Sequence, residues 1–152
     1  MGILVLDALT SQKGRVTKSG VLLLREGQAM AFDSEAFVHD FMKVWDEHDV
    51  NGILDMFTDD VVFEAPVGKQ PWGTRLLGKA ASREFITDLF KRIPDVRYDE
   101  LRHFVCPEHV VVELVRTGTP RGGARSEVHL VDILTIRDGK IAAMRAYGKT
   151  IL

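Results

Sequence analysis

The hydrophobic pattern of the chain changes period once, near Pro94. Behind Asp33 and Ser34, both good N-caps, Phe37, Phe41, Val44, Trp45 and His48 recur at helical spacing, which predicts an amphipathic helix to about His48. Asp49 can cap a second, shorter helix that buries Ile53, Leu54, Met56 and Phe57. The β-branched run from Val61 to Glu64 predicts a brief strand ending at Pro66. Residues 66–78, which hold Pro66, Gly68, Pro71, Gly73 and Gly78, predict a loop long enough to be functional, with Trp72 in its middle. A third helix is predicted from about Lys79 to Ile93, with Phe85, Ile86, Leu89, Phe90 and Ile93 facing inward and Pro94 stopping it. Beyond Pro94 the period is two. Strands are predicted over 96–105, 109–118, 125–136 and 140–148, and Asp138-Gly139 is a strong hairpin signal.

Helices followed by a long antiparallel meander predict an α+β domain, with the helices covering one face of a curved sheet. Such a sheet encloses a cone between its concave face and the first helix, a natural place for an apolar ligand. The single cone domain is expected over 30–152. Residues 1–29 read as an N-terminal extension in which the apolar runs Ile3 to Leu6 and Val21 to Leu24 form a pair of strands, expected as an arm on the domain or on a partner subunit.

Composition narrows the function classes. A chain of 152 residues, 45% hydrophobic, supports one core. Lys and Arg number 20 against 22 Asp and Glu, a formal charge of -2, so no pull toward nucleic acid or an anionic membrane is expected. No apolar run reaches the roughly 20 residues that span a bilayer. The N-terminus lacks the basic start of a signal peptide, and Asp7 interrupts its apolar run, so a cytoplasmic location is expected. The lone Cys106 and the absence of zinc-ligand spacing predict no internal disulfide and no structural metal, and no cofactor is expected.

This order of elements, with DVNGILDMFTDDVVFEAPVG early and RDGKIAAMRAYG late, resembles the nuclear transport factor 2-like superfamily of small cone-shaped domains. Within it the chain is similar to the Δ5-3-ketosteroid isomerases and the polyketide cyclase-like proteins, over about Phe37 to Lys149. The resemblance implies a homodimer through the sheet and an apolar pocket for a small molecule. In the isomerases an Asp base removes a proton beside a carbonyl, while a Tyr and a protonated Asp donate to the oxygen that gains charge. Here the base falls on Ala65 and the Tyr on Phe41, and only the second acid is retained, as Asp132 in HLVDILTI. A positioned base contributes ~100- to 10,000-fold, so steroid isomerisation is disfavoured. The epoxide hydrolases of this fold use an Arg and an Asp two residues apart and a further Asp on the last strand. Those positions hold Glu113, Val115 and Ala146, so that reaction is disfavoured too. The polyketide cyclase branch relies on one acid in a strand like that of Asp132.

Asp132 is therefore the candidate acid. Flanked by Val131, Ile133 and Leu134, it is expected either to face the cone with a raised pKa or to turn to the far side and pair with an Arg such as Arg145. Glu113 is a weaker candidate, facing the same cavity as a carboxylate pair or pairing with Arg116 or Arg125. Glu64 is expected at the surface, and His39, His48, His103 and His109 as surface or capping groups. Phe41, Trp45, Phe63, Ala65 and Tyr147 are expected to line the cone, with Trp72 as a lid. The function expected is an isomerase, cyclase or dehydratase acting on a small apolar or cyclic substrate. The alternatives are a non-catalytic ligand-binding or protein-interaction domain and a pure oligomerisation domain.

Overall fold

The computed structural model describes residues 32–149. The arm expected over 1–29 lies outside them. Three helices come early: α1 (Ser34–Asp46), α2 (Val50–Met56) and α3 (Gly78–Arg92). Asp33 caps α1 by accepting from the Ala36 amide at 3.1 Å, and Asp49 caps α2 by accepting from the Gly52 amide at 3.0 Å. Six strands follow or interleave: β1 (Phe57–Gln70), β2 (Gly73–Leu77), β3 (Arg97–Cys106), β4 (His109–Gly118), β5 (Ser126–Arg137) and β6 (Lys140–Gly148). They form one sheet in the order β2-β1-β6-β5-β4-β3, antiparallel except where β1 runs parallel to β6.

The helices cover one face of this sheet, as the α+β reading predicts. The meander β3 to β6 closes on Asp138-Gly139, whose φ values of 52° and 74° suit the mirror-image turn that matches strand twist. Val110, Val112, Leu114, Leu130, Leu134 and Met144 point from the concave face into a core shared with Val38, Phe41 and Trp45 of α1 and Ile86 of α3.

Two sequence expectations are corrected. The brief strand at Val61 to Glu64 is a 14-residue strand that starts at Phe57, and the loop over 66–78 is largely a hairpin of β1 with β2. Pro66 is tolerated inside β1 because it lies past the last pair with β6, Glu64 with Arg145, and within the register shift between Ala65 and Gln70, where no ladder hydrogen bond needs its missing N–H. Gly73, at φ 77°, packs so closely on β1 that a Cβ there would stand 2.0 Å from the Ala65 carbonyl oxygen.

Candidate functional site

Asp132 opposes Val112 on β4 and Ala146 on β6. Opposed residues share a face, and Val112 is fully buried in the core, so Asp132 faces the helices. It is 4% exposed. Its Oδ1 has no hydrogen-bond partner among the described residues. Burial without a compensating charge pushes its carboxyl from 3.8 up to about 7. The acid is thus largely protonated until neutrality, with a proton to donate.

An aromatic cluster occupies the same, helix-covered side of the sheet. Trp45 of α1 stands edge-on to Phe63 at 6.2 Å and to Tyr98 at 5.6 Å, and is tilted against Phe41 at 6.2 Å. The Trp45 indole N–H is buried and, like Asp132 Oδ1, has no partner among the described residues. Thr58 Oγ1 is a third buried polar atom without a partner among the described residues, and of the three only Asp132 is ionisable.

Tyr98 completes the cluster. Asp46, at the end of α1, accepts from the Tyr98 amide at 3.3 Å and from Arg97 Nη1 at 2.8 Å. A His48 ring N–H donates to the Val96 carbonyl at 2.9 Å while that ring stacks on Phe90 at 4.3 Å. These contacts fix the start of β3 against α1. Burial drives the Tyr98 hydroxyl pKa upward, Arg116 opposes that, and Asp132 adds to it. Tyr98 therefore stays a neutral donor within electrostatic reach of the Arg116 guanidinium and the Asp132 carboxyl.

Sequence reasoning missed Tyr98 and Arg116 as site residues. Arg116 ends the inward series Val110, Val112, Leu114, a cation in an apolar alternation, which is a signal visible in the sequence. Tyr98 is harder to find. A register shift between Glu100 and Arg102 puts Tyr98 opposite Arg116 and His103 opposite Val112, so the face of β3 changes partway along the strand.

The remaining expectations fall elsewhere. Phe41, Trp45, Phe63 and Ala65 are buried together on the helix side, but the rings pack on one another. A cavity of about 450 Å³ lies between α1 and β3, lined by Met42, Lys43, Asp46, Tyr98, Glu100 and His103. Tyr98 forms its inner wall. Glu113 opposes Val131, one residue out of phase with Asp132, so it projects from the convex face and bonds Arg102, which holds its carboxyl below the usual range. Glu113 and Asp132 form no carboxylate pair. Tyr147 opposes Val131 from β6, also on the convex face, and is 56% exposed. Trp72 sits at the β1–β2 turn with the Arg75 guanidinium 4.6 Å above its ring. Arg75 in turn binds Glu64, placing Trp72 with the Glu64 side of β1 rather than over Phe63.

Glu64, expected at the surface, is buried between Arg75 at 2.6 Å and Arg145 at 3.5 Å. Arg145 opposes Ile133, so the pairing of Asp132 with Arg145 does not occur. Of the histidines expected as surface or capping groups, His48 bonds the Val96 carbonyl, and His103 lies between Glu100 at 2.7 Å and Glu35 at 3.5 Å. Among the described residues no group of His, Cys, Asp or Glu is placed to hold a metal ion, and no helix is long and apolar enough to cross a membrane.

Solved structures share this architecture. A Mycobacterium tuberculosis protein in complex with estradiol-17beta-hemisuccinate is 28% identical with a TM-score of 0.65, over 75% of this chain and 92% of that one. The epoxide hydrolase/cyclase-like enzyme SalBIII, of pyran ring formation in the polyether salinomycin, is 26% identical with a TM-score of 0.66, over 76% and 90%. A Sinorhizobium meliloti protein named as a candidate polyketide cyclase shares the fold at 22% identity and a TM-score of 0.62, over 73% and 93%. A search of the curated proteins finds no match. The family model of the SnoaL-like domain matches residues 38–144, from the first helix to the last strand of the cone, and the chain belongs to that family.

Proposed function

We propose that the cone binds a small apolar or cyclic molecule bearing a carbonyl oxygen, and that Asp132 is the acid that donates to this oxygen during an isomerisation, cyclisation or dehydration. One observation carries the reading: a carboxyl group 4% exposed, on the helix side of the sheet, with an oxygen that nothing satisfies among the described residues. A group kept this way costs stability and is retained where it serves a ligand. A carboxyl at about 7 is matched to proton transfer at neutral pH. Tyr98 and the Trp45 N–H supply further donors, and the aromatic walls supply apolar contact. The ligand enters from the α1–β3 cavity past Tyr98, exchanging ring–ring contacts for ring–ligand contacts of similar kind. The bound steroid ester of the mycobacterial neighbour fits this ligand class.

The second reading, a non-catalytic binding domain, is favoured by Ala65 and Phe41, which leave the isomerase positions without a base or a tyrosine donor. Under either reading the protein is cytoplasmic and a homodimer through the convex face, where Phe104, Val111, Val131, Ile133 and Tyr147 form an apolar surface.

Progesterone, an apolar ketone, tests the two readings. Its binding is followed by quenching of tryptophan emission and its enolisation by deuterium exchange of protons beside the carbonyl. Binding with exchange that Asp132→Asn abolishes supports the acid role, and binding without exchange supports the non-catalytic domain. If Asp132→Asn changes neither binding nor exchange, Asp132 has no part in the site.

A further inference from the structure

We infer that Arg116 is the specificity-determining residue of the cone, holding an anionic oxygen group, a carboxylate or sulfonate, at the far end of a ligand whose near end meets Asp132. The inference rests on the cone reading above and adds the charge of the ligand to it. Arg116 stands directly opposite Tyr98 on β3 and Val128 on β5, in the same inward series as Val112 and Leu114, and is half-buried. Every other arginine of the described residues binds a side-chain or carbonyl oxygen: Arg75 and Arg145 share Glu64, Arg97 has Asp46 and Arg102 has Glu113. Arg83, Arg92, Arg121, Arg125 and Arg137 likewise have partners. Arg116 alone has neither a hydrogen bond nor an ion pair among the described residues.

Charge and distance then define the ligand. Burial keeps the Tyr98 hydroxyl protonated and raises the Asp132 carboxyl, and Arg116 is the one arginine of this inward series. Asp132 pairs with Val112, four residues along β4 from Arg116, which separates the two rows by roughly 13 Å. An arginine side chain does not span that gap, so Arg116 cannot neutralise Asp132 directly. A fused-ring molecule with a carbonyl at one end and an acid at the other has the length to span it. A guanidinium suits the acid end because its planar fork gives a carboxylate or sulfonate two parallel bonds.

A matched pair of fluorescent probes provides the test: 8-anilinonaphthalene-1-sulfonate, and N-phenyl-1-naphthylamine, which has the same rings without the sulfonate. The wild-type chain is expected to bind the sulfonate at least about ten-fold more tightly, the strength of one charge-assisted hydrogen bond. Arg116→Met is expected to abolish that preference and leave the neutral probe unaffected, and Arg116→Lys to restore part of it. Arg125→Met, removing an exposed arginine, is expected to change nothing. Retention of the preference in Arg116→Met, or its equal loss in Arg125→Met, overturns the role of Arg116 while the neutral probe still reports a cone site. Failure of both probes to bind wild type overturns the cone site itself, and this inference with it.

Discussion

Replacing Asp132 with Asn makes the protein more stable at alkaline pH and leaves it unchanged in mild acid. The carboxyl is raised from 3.8 to about 7, close to three pH units, and each unit corresponds to about 1.4 kcal/mol. The sign follows from proton counting. Between those two values the folded chain holds a proton that the unfolded chain has released, so stability falls as pH rises through that window and is level on either side. The whole loss is about 4 kcal/mol, a large share of the 5 to 15 kcal/mol typical of a domain. Asn matches the protonated acid in shape and polarity but cannot ionise. Urea denaturation of both proteins, followed by tryptophan emission from about pH 4 to about pH 8, gives the difference directly, because all other titrating groups are common to the pair. Stabilities that coincide near pH 4 and diverge by up to about 4 kcal/mol near pH 8 are expected. A constant difference across the range, or a wild type that gains on the variant with rising pH, would refute the burial argument.

Other perturbations test the frame around the site. If the proposed convex-face dimer forms, Ile133→Glu is expected to give a monomer in sedimentation velocity without altering the helix content seen by circular dichroism. Gly73→Ala meets both a left-handed φ and the Ala65 carbonyl oxygen, so it lowers the unfolding free energy by more than about 1 kcal/mol in a denaturant titration. Glu64→Ala removes the carboxylate shared by Arg75 and Arg145. Because both arginines are partly exposed and can hydrate, the loss in the same titration is only about 1 to 2 kcal/mol, below the 3 to 5 kcal/mol of a fully buried pair.

Local signals made much of the fold legible in advance. Asp33, Asp49 and Asp138-Gly139 each work through neighbours within four residues, and each forms the cap or turn its chemistry dictates. The hairpin at residues 66–78 was hidden because Pro66, Pro71 and Gly73 are loop signals taken singly. Only the pairing of Glu64 with Arg75 and of Ala65 with Thr74 shows that the glycine permits close strand approach. Glu64 was misjudged for a related reason: its burial depends on two arginines brought from other strands. Inward placement of Asp132 follows from alternation with Leu130 and Leu134, whereas the change of face along β3 that follows Tyr98 depends on a one-residue bulge at Leu101 that nothing in the period announces. The apolar lining was legible as a set of core rings, but not how those rings pack. Side-chain packing is set by the assembled interior rather than by spacing along the chain.

Everything rests on Asp132 being the point at which a ligand oxygen is received. A crystal structure of the chain with progesterone bound measures this directly. A ketone oxygen within about 3 Å of an Asp132 carboxyl oxygen is expected, with the rings of Trp45 and Tyr98 against the steroid body. A steroid held only on the convex face or in the outer α1–β3 cavity, with Asp132 still unpartnered, would contradict it.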